Sequence, residues 1–159
     1  MPGERKNKRR VKVSVPEGKR GAQKMEVFTK ANNLAIYTIK ICNNKNVFLP
    51  EYQNALTNDI ISTAKDIFIC AWDANGIRVT KTVEGKVVID ERKREERRRL
   101  QEISVRKCNS LLAMMQIAQR LFHLPTKRIK YWGGMTIEVR DLLKKWKQSD
   151  AKRYEAKVS

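Results

Sequence analysis

The chain has 159 residues, 41% of them hydrophobic, which is enough for one domain with a core of its own. Thirty-five Lys and Arg stand against 17 Asp and Glu, a net charge of +18 at pH 7. A surplus of one sign on that scale costs stability by self-repulsion and points to a polyanionic partner, nucleic acid first and acidic membrane lipid second. No apolar run reaches the roughly 18 residues of a membrane-spanning helix. Met1-Pro2-Gly3 leads into charges instead of a signal-peptide core, so the expectation is a soluble, cytoplasmic protein.

Residues 1–24 read as a basic flexible tail, because Pro2, Gly3, Pro16, Gly18 and Gly21 punctuate a stretch poor in apolar side chains. Nine Lys or Arg less two Glu give the tail +7, and 18 less 7 leaves +11 on the remainder, so the folded body is basic in its own right. Val11, Val13 and Val15 alternate with polar residues, as in a short strand that forms on binding. A first helix is predicted over about 25–43. Phe28, Ala31, Ala35 and Cys42 recur at helical steps there, while Leu34, Ile36, Ile39 and Ile41 widen the apolar arc enough for two neighbours. Asn43-Asn44 and the proline at Pro50 break the pattern.

A second helix follows from Pro50 or Glu51 to about Ala74, with Leu56, Ile60, Ala64, Ile67 and Ala71 on one side. Asn75-Gly76 closes it, and residues 77–90 alternate around Glu84-Gly85 like a small hairpin. A third helix runs from near Asp90 to Phe122, with its core stripe (Leu100, Ile103, Leu111, Met115, Ala118, Phe122) confined to its middle and end. Its front, "ERKREERRR", is polar all round and is expected to project beyond the core or to pair with another chain. Thr126 is the expected N-cap of a fourth helix whose seam is Ile129, Trp132, Thr136, Val139, Leu143 and Trp146, with residues 150–159 frayed. The expected fold is therefore all-α: an antiparallel up-and-down four-helix bundle over 25–149, with a basic tail and a hairpin excursion between helices two and three.

The chemistry-bearing residues are cationic. Arg92, Arg99 and Arg106 fall at seven-residue steps on the third helix, flanked by Arg97, Arg98 and Lys107. Arg140, Lys144 and Lys147 share a face of the fourth helix, and Arg120, Lys127, Arg128, Lys130 and Lys145 have few acidic neighbours in sequence. Guanidinium groups match phosphate oxygens in pairs, so these positions, with Arg5, Lys6, Lys8, Arg9, Arg10 and Lys12 of the tail, are the candidate nucleic-acid contacts. The competing reading is a solvated helix in which Glu91, Glu95, Glu96 and Glu102 pair with the third-helix bases. Tyr131 is the candidate stacking residue, whereas Trp132 and Trp146 lie on the apolar seam and are assigned to the core.

Cys42, Cys70 and Cys108 are widely spaced and lie in apolar patterns, with His123 the lone histidine, near a helix end. Buried reduced thiols are expected, with no metal site and no cofactor. The carboxylates are scattered and no P-loop or nucleophile elbow occurs, so no catalysis is expected; a small nuclease is the enzyme-class alternative.

The succession "VFLPEYQNALTNDIISTAKDIFICAWDANGIR", an arginine-led helix, and "LLAMMQIAQRLFHLPTKRIKYWGGMTIEVRDLLKKW" together resemble the accessory variability determinant (Avd) proteins of diversity-generating retroelements. These are relatives of the four-helix proteins encoded in 23S ribosomal RNA intervening sequences. The resemblance covers roughly residues 28–146. It rests on Leu56-Thr57 after the proline-led start, Ala74-Asn75, Leu111 with Ala118 and Leu121, Val139-Arg140, Leu142 and the closing Trp146. Lys144-Lys145 stand where such proteins often place glycines, and the basic arm and residues 77–89 are extra. The resemblance implies a bacterial, archaeal or phage-encoded homopentamer of four-helix bundles that binds a reverse transcriptase and its template RNA or cDNA in mutagenic retrohoming. Five copies at +18 would gather about +90. The alternative within this class is a ribosome- or RNA-associated protein without a polymerase partner.

Overall fold

The computed structural model describes residues 17–155, and the side chains of residue 24 and of 26–155. The described part is mostly helical: α1 (Glu17–Cys42), α2 (Asn58–Gly76), α3 (Glu91–Phe122) and α4 (Thr126–Glu155), with a two-stranded antiparallel sheet of β1 (Thr80–Val83) and β2 (Lys86–Ile89) between α2 and α3.

Each long helix buries one stripe stepped by threes and fours. On α2 it is Ile60, Ala64, Ile67, Ala71 and Ala74; on α3 it is Arg97, Gln101, Ser104, Cys108, Leu111, Met115, Ala118 and Phe122. On α4 it is Trp132, Thr136, Val139, Leu143, Trp146, Asp150 and Tyr154. This alternation keeps a seam facing a neighbour that crosses at a shallow angle. α1 packs on α2 and α4, and α3 on α2 and α4, all around one apolar core. Contacts set the helix directions. Trp132 Nε1–H donates to Thr38 Oγ1 at 3.0 Å, and Phe28 meets Trp146 edge-on at 5.7 Å, so α1 and α4 run in opposite senses. Ser104 Oγ donates to the Ile67 carbonyl at 2.7 Å while Arg97 reaches that of Ala74, which sets α2 against α3 likewise.

Several boundaries differ from expectation. α1 begins at Glu17, inside the stretch read as tail; its Lys, Arg, Ala and Gln favour helix strongly enough to carry Gly18 and Gly21. Residues 1–16, with the candidate contacts Arg5, Lys6, Lys8, Arg9, Arg10 and Lys12, lie outside the described residues. Pro50 opens a single 3₁₀ turn (Pro50–Tyr52) and then a π turn (Gln53–Thr57) before regular α2 starts. The Pro125 carbonyl accepts from the N–H groups of Arg128 and Ile129, which makes Pro125 the N-cap and Thr126 the first helical residue.

The hairpin forms as its sequence indicates. Glu84 and Gly85 adopt φ of 50° and 77° in the two-residue loop that pairs Val83 with Lys86, the left-handed geometry that suits the strand twist. Buried Val79 anchors it, and its carbonyl accepts from Asp90 N–H at 2.7 Å. Asp90 then caps α3 by accepting from Lys93 N–H. At the other end of α3, His123 takes the left-handed C-cap conformation with φ 54°.

α4 does not fray after residue 149. It continues to Glu155 with Asp150 and Tyr154 buried, because the front of α3 needs a partner. That front does not project. Its Arg97 is 4% exposed and turns inward.

Candidate nucleic-acid interface

The arginine-led front of α3 resolves into three kinds of cation. Arg97 is withdrawn from the surface, which corrects its place among the candidate contacts. Its Nε–H and Nη2–H donate to the two Asp150 oxygens at 2.6 and 3.2 Å, Nη1 reaches the carbonyls of Ala74 and Ile77, and its guanidinium lies 5.3 Å from the Trp146 ring. Gln101 donates to the same carboxylate at 2.8 Å. A buried guanidinium so fully bonded is fixed structure and has no donor set to offer a ligand. A second kind is paired at the surface: Arg94 with Glu91, Lys93 with Glu96, Arg106 with Glu102 at 4.0 Å, and Lys107 with Asp66. Arg92, Arg98 and Arg99 form the third kind, exposed and, among the described residues, without an ion pair.

The α4 set facing α3 is also engaged. Arg140 donates to Asn109 Oδ1 at 3.0 Å, and Lys147 bonds Glu102, whose carboxyl that hydrogen bond holds below the usual range. Lys144 makes no ion pair among the described residues. Together with Arg94, Arg98 and Lys147 it lines an α3–α4 groove of about 630 Å³. Glu91, Glu95 and Glu155 line the same groove, so its charge is mixed.

A purer cationic surface lies at the opposite end of the helices. Residues 27–50 and 103–137 contain no Asp or Glu. The fold brings these two runs together: Phe48 in the α1–α2 link meets Phe122 at 4.8 Å with the rings tilted and Trp132 at 6.4 Å, while Tyr37 of α1 meets Tyr131 of α4 at 5.2 Å. Arg120, Lys127, Arg128 and Lys130 are exposed here and, among the described residues, make no ion pair; Lys40 of α1, not among the sequence candidates, joins them. Lys127, Arg128 and Lys130 occupy the first turns of α4, where the helix dipole already presents its positive end. Cations placed there repel the dipole as well as one another, and an anion relieves both.

Within that surface Arg128 Nη1–H donates to the Tyr37 hydroxyl at 2.9 Å. Its guanidinium carbon is 5.9 Å from the ring centroid, at the outer edge of cation–π range, so the hydrogen bond carries the contact. Tyr131 is 60% exposed, as a contact residue requires, whereas Trp132 and Trp146 are buried in the core as their seam positions indicated. Tyr37 is not conspicuous in the sequence because its position falls on the edge of the α1 apolar arc; the signal that marks it is the absence of any acid between Glu26 and Glu51.

Among the described residues no group of three or more His, Cys, Asp or Glu could hold a metal ion, and no helix is long and apolar enough to cross a membrane. No protein-family model, curated protein or solved structure matches this chain.

Proposed function

We propose that this chain is a non-catalytic accessory protein of a diversity-generating retroelement. In this reading it is an Avd-like up-and-down four-helix bundle, assembled as a homopentamer, that holds template RNA and its cDNA by the phosphate backbone for a reverse transcriptase. The observation that carries the reading is the surface built from the two runs without Asp or Glu, where cations that make no ion pair among the described residues collect on α1, α3 and α4. The order of helix contacts and the opposed directions of neighbours support the bundle. Trp72, 59% exposed, with Ile69 on α2 and Ile36 and Ile39 on α1, supplies apolar surface for self-association.

Backbone binding by fixed cations releases counterions, so affinity for single-stranded RNA should fall steeply with salt. Four phosphate contacts give a log–log slope of about −3, a loss of roughly 50-fold for a fourfold rise in salt. Filter binding across that range checks it, and an affinity indifferent to salt would remove the phosphate grip. Affinity purification from cells carrying a candidate reverse transcriptase should retain that enzyme. Sedimentation with ribosomes and no retained polymerase would assign the chain to the ribosome-associated alternative.

A further inference from the structure

We infer that the surface built from the two runs without Asp or Glu is a stacking site for an unpaired base of single-stranded RNA, with Tyr131 as the platform and Arg128 and Tyr37 as its support. The inference rests on the phosphate-grip reading and adds to it a place and a strand state. Three observations converge. First, Tyr131 is 60% exposed, as open as any aromatic side chain of the described residues, and it stands amid Lys127, Arg128 and Lys130 with no carboxylate on either neighbouring turn. Second, the ring is held. Its edge contact with Tyr37 is T-shaped, at 5.2 Å and 62°, and Tyr37 is in turn fixed by the 2.9 Å hydrogen bond from Arg128. A ring already immobilised loses little side-chain freedom on stacking. Third, Lys127 and Arg128 precede Tyr131 by four and three residues on α4, so all three share one helix face. A strand whose phosphates lie on the two cations presents its bases toward the ring. In duplex RNA the base faces are already covered, so the platform selects unpaired nucleotides.

The test compares a short single-stranded RNA with an abasic phosphodiester strand of the same length, on the full chain. The wild type should bind the base-bearing strand more tightly. Tyr131→Ala should lose about tenfold on that strand and nothing on the abasic one, with an unchanged salt slope, while Tyr131→Phe keeps wild-type affinity. Lys127→Ala should weaken both strands equally. Equal wild-type affinity for the two strands, unmoved by Tyr131→Ala, overturns the stacking site and leaves the phosphate grip standing; failure of the wild type to bind either strand overturns both. Photocrosslinking with 4-thiouridine RNA on the unmodified protein gives a readout independent of mutant folding. Crosslinks on the tryptic peptide that begins at Tyr131 support the site, and crosslinks confined to the α3–α4 groove overturn it.

Discussion

Burial pushes the thiols of Cys42 and Cys108 up to about 12, so both remain protonated at neutral pH and are shielded from reagents as well. Cys70 is half-buried on α2. Its thiol is raised by burial first and then by the nearby carboxylates of Asp66 and Asp73, against the opposing charge of Lys107. Iodoacetamide near neutral pH should therefore modify Cys70 first and slowly, with Cys42 and Cys108 labelled only after unfolding. Peptide mass mapping over time reads this directly, and early labelling of Cys108 would show that the α3 seam opens. The spacing of the cysteines indicated inert thiols, and two are enclosed. The different setting of Cys70 depends on which side of α2 faces α3, which spacing alone does not give. The same holds for the tyrosines: exposed Tyr131 was legible from its basic neighbours, whereas the support from Tyr37 needs two helices brought together.

The four helices were readable because their apolar residues repeat at threes and fours, and the hairpin because Glu84-Gly85 sits at the centre of an alternating stretch. Periodicity fails where a seam continues in polar residues. Arg97 and Gln101 on α3 and Asp150 on α4 keep the seam spacing but carry charge and amide, so the sequence suggested a projecting helix front and a frayed end. A buried ion pair of this kind is costly to break, because the survivor stays desolvated without its partner. Asp150→Leu should destabilise by about 3–5 kcal/mol, and Arg97→Leu by a similar amount. The double variant Arg97→Leu/Asp150→Leu should recover much of the loss, since no uncompensated charge remains. Urea unfolding of the three variants closes the cycle. Additive losses would mean that the two groups do not depend on each other, against the paired geometry at 2.6 and 3.2 Å.

On the scale of the whole molecule the charge is polarised. Among the described residues carboxylates are densest near the hairpin, on the front of α3 and on the last turns of α4, where they pair with Arg94, Lys93 and Arg97, while Glu51 and Asp59 stand toward the other end. The other end keeps cations that repel one another. Two opposite salt effects follow from a net +18. In the free protein, salt screens self-repulsion, so the melting temperature should rise as ionic strength increases. With single-stranded RNA present at about 100 times its dissociation constant, binding adds about 2.7 kcal/mol at low salt. That increment corresponds to a rise of about 5–11 °C for a domain of this size. Counterion release abolishes the increment as salt increases, so the two melting curves converge from opposite directions. Scanning calorimetry of the protein with and without RNA over one salt series measures both slopes. A free protein whose melting temperature falls with salt would mean that its ion pairs outweigh its repulsion, and the surplus of cations would then need no polyanion to account for it.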